Sequence, residues 1–95
     1  MGEEAVKLLE KMRVSKAGWT RNDLDRLYTG FGFIIKSGRG PHDKVYHPDY
    51  PFLITFVPRH RKLLEVYVSQ AIKLIDRLKE LQESQHGQDP ASKSS

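Results

Sequence analysis

Apolar residues open the chain at helical spacing: Ala5, Leu8, Leu9 and Met12 share one side of a 3.6-residue period, which predicts a helix over Glu3 to Arg13. Glu3 and Glu4 suit its N-terminus, and Lys11 and Arg13 suit its C-terminus, because each complements the helix dipole. "VSKAGW" reads as a connector. Thr20 is an N-cap with Asp23 three residues on, a capping-box arrangement. Leu24, Leu27 and Tyr28 then form the stripe of a second helix, which Gly30 or Gly32 ends. From Phe31 the period shortens. "FGFIIKS" reads as a strand, "GRGP" as a turn, "DKVYH" as a second strand, "PDYP" as another turn and "FLITFV" as a third strand. Pro58 stops the third strand, since proline has no N–H for the ladder. Helical spacing returns from about Arg61. Leu64, Val68, Ala71, Ile75 and Leu78 make one stripe, widened by Tyr67, Ile72, Leu74 and Leu81.

Helix, helix, three strands, helix is the order of an α+β two-layer domain with a three-stranded antiparallel meander. Such a sheet has one covered face and one wet face. The chain divides into an N-terminal helical extension over 1–18, a domain over 19–82 and a tail over 83–95. The tail, "ESQHGQDPASKSS", has no apolar residue larger than alanine and is expected to be disordered. The stripe of the first helix is expected to bury against the domain's own helices, since one short amphipathic helix is unstable alone. A monomer is the expected free state.

The 95 residues hold one domain and contain no cysteine, which excludes disulfide and thiolate chemistry. No apolar run approaches the roughly 18 residues of a membrane span. The N-terminus has acids where a signal peptide wants cations, and Val6 stands where a myristoylation signal wants Ser or Thr. A soluble, cytoplasmic protein is expected. Net charge is +4, and it is localised. Residues 1–30 carry six cations and five acids, 31–62 six and two, and 63–95 four and five. The excess therefore lies in the middle of the chain, which suggests an anionic partner such as nucleic acid.

Three of the four histidines fall in that basic stretch: His42, His47 and His60. In the second strand Val45 points to the core, so Asp43 and His47 share its side. His42, Lys44 and Tyr46 then face water. Surface or packing histidines are the plainest reading. A metal site from His42, His47 and His60 with Asp43 or Asp49 has no compact spacing, and alternation puts His42 and His47 on opposite faces. Phosphate binding without chemistry would use His42, Lys44, Arg39, Arg59 and Arg61. RNA cleavage is the fourth reading. With the neighbouring 2′-OH as nucleophile it needs no cofactor, only a base, an acid and cations near the phosphate. An imidazole can move protons at neutral pH. A glycine turn before it lets the backbone come close to the sugar-phosphate chain.

At these residues the sequence resembles the HicA toxins, small RNA-cleaving proteins of bacterial toxin–antitoxin pairs. "DLDRLYTGFGFIIKSGRGPH" and "HPDYPFLITFVPRH" follow the family's order of leucine-rich helix, "GF", basic strand, Gly-Ser-His turn, "His-Pro" turn and strand ending "Val-Pro-x-His". The likeness spans roughly Thr20 to Ile75. It implies an α-β-β-β-α fold like that of double-stranded RNA-binding domains, with the essential histidine at His42, the preceding glycine at Gly40 and the strand-end histidine at His60. It implies a metal-independent endoribonuclease of mRNA, without cofactor, neutralised by a HicB-type antitoxin. Lys44, Arg39 and Arg59 would hold the phosphate, and Tyr46 offers a face for a base. Pro41 replaces the family's serine, Asp43 a second histidine, and Val45 an aromatic residue. The Gly-Thr pair that opens the family's last helix is missing. A non-catalytic RNA-binding or antitoxin-binding module on the same fold is the alternative.

Overall fold

The computed structural model describes residues 3–38 and 40–87. Its elements are α1 (Glu3–Val14), α2 (Arg21–Gly30), β1 (Ile34–Ser37), β2 (His42–Tyr46), β3 (Ile54–Pro58) and α3 (Glu65–Gly87). The fold is α+β. The strands form one antiparallel sheet in the order β1-β2-β3. Among the described residues no helix is long and apolar enough to cross a membrane.

The α1 stripe of Ala5, Leu8, Leu9 and Met12 is buried, and it shares a core with the other helices and the inner face of the sheet. A Cβ on Gly30 would lie 2.3 Å from the Cβ of Ala5, so α1 and α2 meet where both residues are small. Arg13 ties α1 to α3 through the Asp76 carboxylate. Thr20 and Asp23 close a reciprocal capping box at the start of α2, with Asp23 N–H donating to Thr20 Oγ1 and Thr20 N–H to Asp23. Past Gly30 the chain leaves the helix through Gly32, whose φ of +90° suits glycine.

The last helix departs from expectation at both ends. It starts at Glu65 rather than Arg61, because the backbone before it is already engaged. Arg21 N–H donates to the Arg61 carbonyl at 3.0 Å, and Thr20 pairs with Lys62 as an isolated bridge. Leu63, not Leu64, therefore enters the core, and Leu64 is 64% exposed. At the other end α3 continues through Glu83 to Gly87. Extending an existing helix adds a hydrogen bond for each residue fixed, so a polar segment can follow a helix already anchored by Val68, Ile75 and Leu78. Residues 88–95 of the expected disordered tail lie outside the described residues.

Register decides which strand residues share a face. Ile34, Tyr46 and Ile54 lie opposite one another, as do Lys36, Lys44 and Phe56. Both rows are on the open face. Ile35, Val45 and Thr55, and Ser37, Asp43 and Val57, are the rows turned to the helices. Val45 and Val57 are fully buried there.

Candidate functional site

The open face is a mixture of cations and apolar side chains. Ile34, Ile54 and Phe56 are 38, 41 and 54% exposed, large values for such residues within a sheet. Beside them β1 and β2 present Lys36, His42 and Lys44. At the end of the sheet nearest the β1–β2 turn this face hollows into an open concavity of about 510 Å³. Lys36, Ser37 and Gly38 line it from β1, Gly40 and Pro41 from the turn, His42 and Lys44 from β2, and Phe56 from β3. His42 is exposed, on the face that alternation assigns it.

A Cβ placed on Gly40 would meet nothing within 4 Å. Gly38 would meet only the His42 carbonyl, at 3.8 Å. Packing within the protein therefore does not demand a bare backbone at either position. Both residues line the concavity.

The position and shape of this turn are set from below by one buried carboxylate. Asp43 alternates with His42 and so points inward, where it is 7% exposed. It accepts from Arg59 Nε at 2.7 Å and from Arg21 Nη2 at 2.8 Å. Hydrogen bonding from Arg59 is the largest cause holding the Asp43 carboxyl below its ordinary range. Burial opposes it, and Arg21 adds to it. Arg21 also donates to Asp25 and to the Pro58 carbonyl. Burial alone would lower its pKa, but the hydrogen bonds to Asp25 and Asp43 outweigh burial and the net shift is upward. Arg59 reaches further: its Nη2 donates to the Gly38 carbonyl and its backbone N–H to the Pro41 carbonyl. One residue thus fastens both limbs of the turn that carries Gly40 and delivers His42.

Among the residues expected to touch RNA, His42, Gly40 and Lys44 converge on the concavity. Tyr46 lies one row away on the same face, half-buried, with the Lys44 ammonium 5.4 Å from its ring centre. Arg59 commits its guanidinium to Asp43 and Gly38, so its first role is to hold the turn. His60 is exposed after β3 and does not line the concavity. Arg39 lies outside the described residues. Lys36 was not singled out from sequence, although the alternation of "FIIKS" puts it on the face of Ile34.

His47 belongs elsewhere. It is 4% exposed, edge-on to Phe33 with ring centres 5.1 Å apart, and 5.6 Å from the ring of Tyr50. Its Nδ1 accepts the Asp49 N–H at 3.1 Å, and a Cβ on Gly32 would come within 3.1 Å of its Nε2. It is a packing and turn residue. Among the described residues no three His, Asp or Glu side chains gather as a metal site would require. Compared with protein-family profiles, curated proteins and solved structures, the chain matches none.

Proposed function

We propose that this chain is a HicA-like, metal-independent endoribonuclease acting on mRNA in the cytoplasm, on a fold arranged like a double-stranded RNA-binding domain, and restrained by a HicB-type antitoxin. The observation that carries the reading is the meeting of His42 with Lys36 and Lys44 in an open concavity beside a glycine turn. A phosphate seated between the two ammonium groups would have its charge offset as it builds in the transition state. The 2′-oxygen loses its proton and attacks phosphorus, the bond to the 5′-oxygen breaks, and that oxygen takes up a proton. His42 takes the 2′ proton as base or supplies the 5′-oxygen's proton as acid, and water exchanges the other proton. Tyr46 and Phe56 add aromatic faces for flanking bases.

A second reading has an observation in its favour. Among the described residues His42 is the one imidazole lining the concavity, Pro41 brings no N–H, and Arg59 is engaged with protein. That inventory also suits an RNA-binding or antitoxin-binding module without chemistry. Incubation of the protein with single-stranded RNA, with and without chelator, separates the two. The nuclease cuts in both tubes, and the module retains RNA without products. For the nuclease, His42→Ala lowers the rate by about 10²–10⁴-fold, the usual share of a general acid or base. A substrate with 2′-deoxy at the cut site binds and stays whole. Cleavage that survives either change sinks the assignment of His42.

A further inference from the structure

A second concave site lies where the α1–α2 connector meets the segment that follows β3. It has a volume of about 330 Å³ and is lined by Gly18, Trp19, Thr20, Arg61, Lys62 and Leu63. Trp19 lines it, half-buried against the core, with its indole Nε1–H donating to the Ser15 carbonyl at 2.8 Å. Gly18, at φ +86°, also lines it, and a Cβ there would meet nothing within 4 Å. Arg61 and Lys62 are exposed and form no ion pair among the described residues. The nearby Asp23 carboxylate is turned to the backbone and hydroxyl of Thr20.

An aromatic plane fixed in orientation beside two unneutralised cations suits a nucleotide: the base on the ring, the phosphates on Arg61 and Lys62. The two concavities are joined by four consecutive residues. Arg59 is bonded to Pro41 at the rim of the first, and Lys62 to Thr20 at the second. His60, exposed, lies between them. We propose that the Trp19–Arg61–Lys62 site binds a single-stranded RNA segment flanking the phosphate held at His42, so that the strand runs along residues 59–62 from one concavity to the other. This rests on the RNA reading above and adds to it a second, sequence-tolerant contact that anchors the strand without taking part in proton transfer.

Trp19 is the chain's one tryptophan, so its emission reports on this site alone. The full-length protein is titrated with a fully 2′-O-methylated single-stranded RNA, which has no nucleophile, longer than the roughly 16 nucleotides such grooves span at most. Binding is followed in parallel by anisotropy of a dye on the RNA. The expected result is quenching of Trp19 emission that tracks the anisotropy, in the wild type and in His42→Ala alike. The Arg61→Gln/Lys62→Gln double variant, which alters exposed positions, should lower the salt slope by about 1.4 and affinity by about 25-fold near 0.1 M salt, as two single-strand phosphate contacts contribute. Polyphosphate, which has charge and no bases, should bind and leave the emission unchanged. RNA binding with unchanged Trp19 emission, equal quenching by polyphosphate, or an unaltered slope in the double variant overturns the proposal. Quenching without cleavage of unmodified RNA leaves this site standing and removes the nuclease reading. Cleavage without quenching does the reverse. A protein partner that shifts the emission when RNA does not would assign the groove to that partner instead.

Discussion

Replacing Asp43 by Asn removes one charge and little volume from beneath the β1–β2 turn. In the wild type the carboxylate is 9% exposed at its side chain and pairs with two guanidinium groups at 2.7 and 2.8 Å. Breaking a buried pair from one side costs about 3–5 kcal/mol when the remaining charge is stranded. Here neither arginine is fully stranded. Arg21 keeps Asp25 at 2.6 Å, and the side chain of Arg59 is 43% exposed and can turn to water. An expected loss of about 2–3 kcal/mol follows, or roughly 10–20 °C in Tm for a domain of this size. The comparison is Asp76→Asn. Asp76 is also held below the usual carboxylate range, first by hydrogen bonding from Arg13, but its pair is 41% and 43% exposed. Solvent screening limits that pair to less than about 1 kcal/mol. Urea unfolding followed by circular dichroism measures both variants. The two carboxylates also share a pH signature. A carboxyl whose folded pKa is depressed stabilises fully above its unfolded value, near 3.9, and loses that contribution as pH falls through the folded value. The gap between wild type and Asp43→Asn should therefore be constant near neutrality and close below about pH 4. Equal, small losses for Asp43→Asn and Asp76→Asn, or a gap that does not close in acid, would refute the assignment of Asp43 as the buried hub.

Tyr28 is fully buried, and its hydroxyl has no hydrogen-bond partner among the described residues; burial pushes its pKa up. Tyr28→Phe should leave stability unchanged or raise it by up to about 1 kcal/mol in the same urea assay, whereas a clear loss would reveal a partner for the hydroxyl. His47→Ala should cost about 2–4 kcal/mol, because it empties the slot between Phe33 and Tyr50 and frees the Asp49 N–H, while His42→Ala stays within about 0.5 kcal/mol. Comparable losses for the two histidines would contradict their placement on opposite sides of the sheet. Gly32→Ala should cost about 1–3 kcal/mol, since alanine at φ +90° is strained and its Cβ would press on His47. A neutral result by thermal melting would show that this backbone adapts.

The α+β order, the capping box and the α1 stripe were legible because each is local: a period, a cap, a charge bias. Alternation about Val45 also separated His42 from His47, since β2 runs without a bulge from His42 to Tyr46. What the sequence hid was set by distant partners. Arg59 reads as a phosphate ligand in "VPRHRK", and only the fold brings it onto Asp43 and Gly38. Arg21 carries no local signal of its role, since the buried carboxylate it meets, Asp43, is 22 positions away. α3 starts later than its spacing predicts for the same reason, because the backbone of Arg61 and Lys62 is claimed by Arg21 and Thr20. The Trp19 groove likewise joins residues more than forty apart.

β2 divides its work between its two faces. Asp43 and Val45 point inward, the first into an ion cluster and the second into apolar contact. His42, Lys44 and Tyr46 point outward and make no hydrogen bond or ion pair among the described residues through their side chains. Such a division lets the outer residues change without loss of the fold. It also gives the inner ones a grip on the outer geometry. The carboxylate of Asp43 places Arg59, Arg59 holds the carbonyls of Gly38 and Pro41, and those two carbonyls bracket the backbone that leads into His42. The aspartate at position 43 gives Arg59 and Arg21 an anionic anchor that a neutral side chain could not supply. The Asp43 carboxylate therefore puts no free negative charge on the open face. Its charge is spent beneath the sheet, with one cation engaged on each oxygen, and the open face keeps its positive character from Lys36 and Lys44.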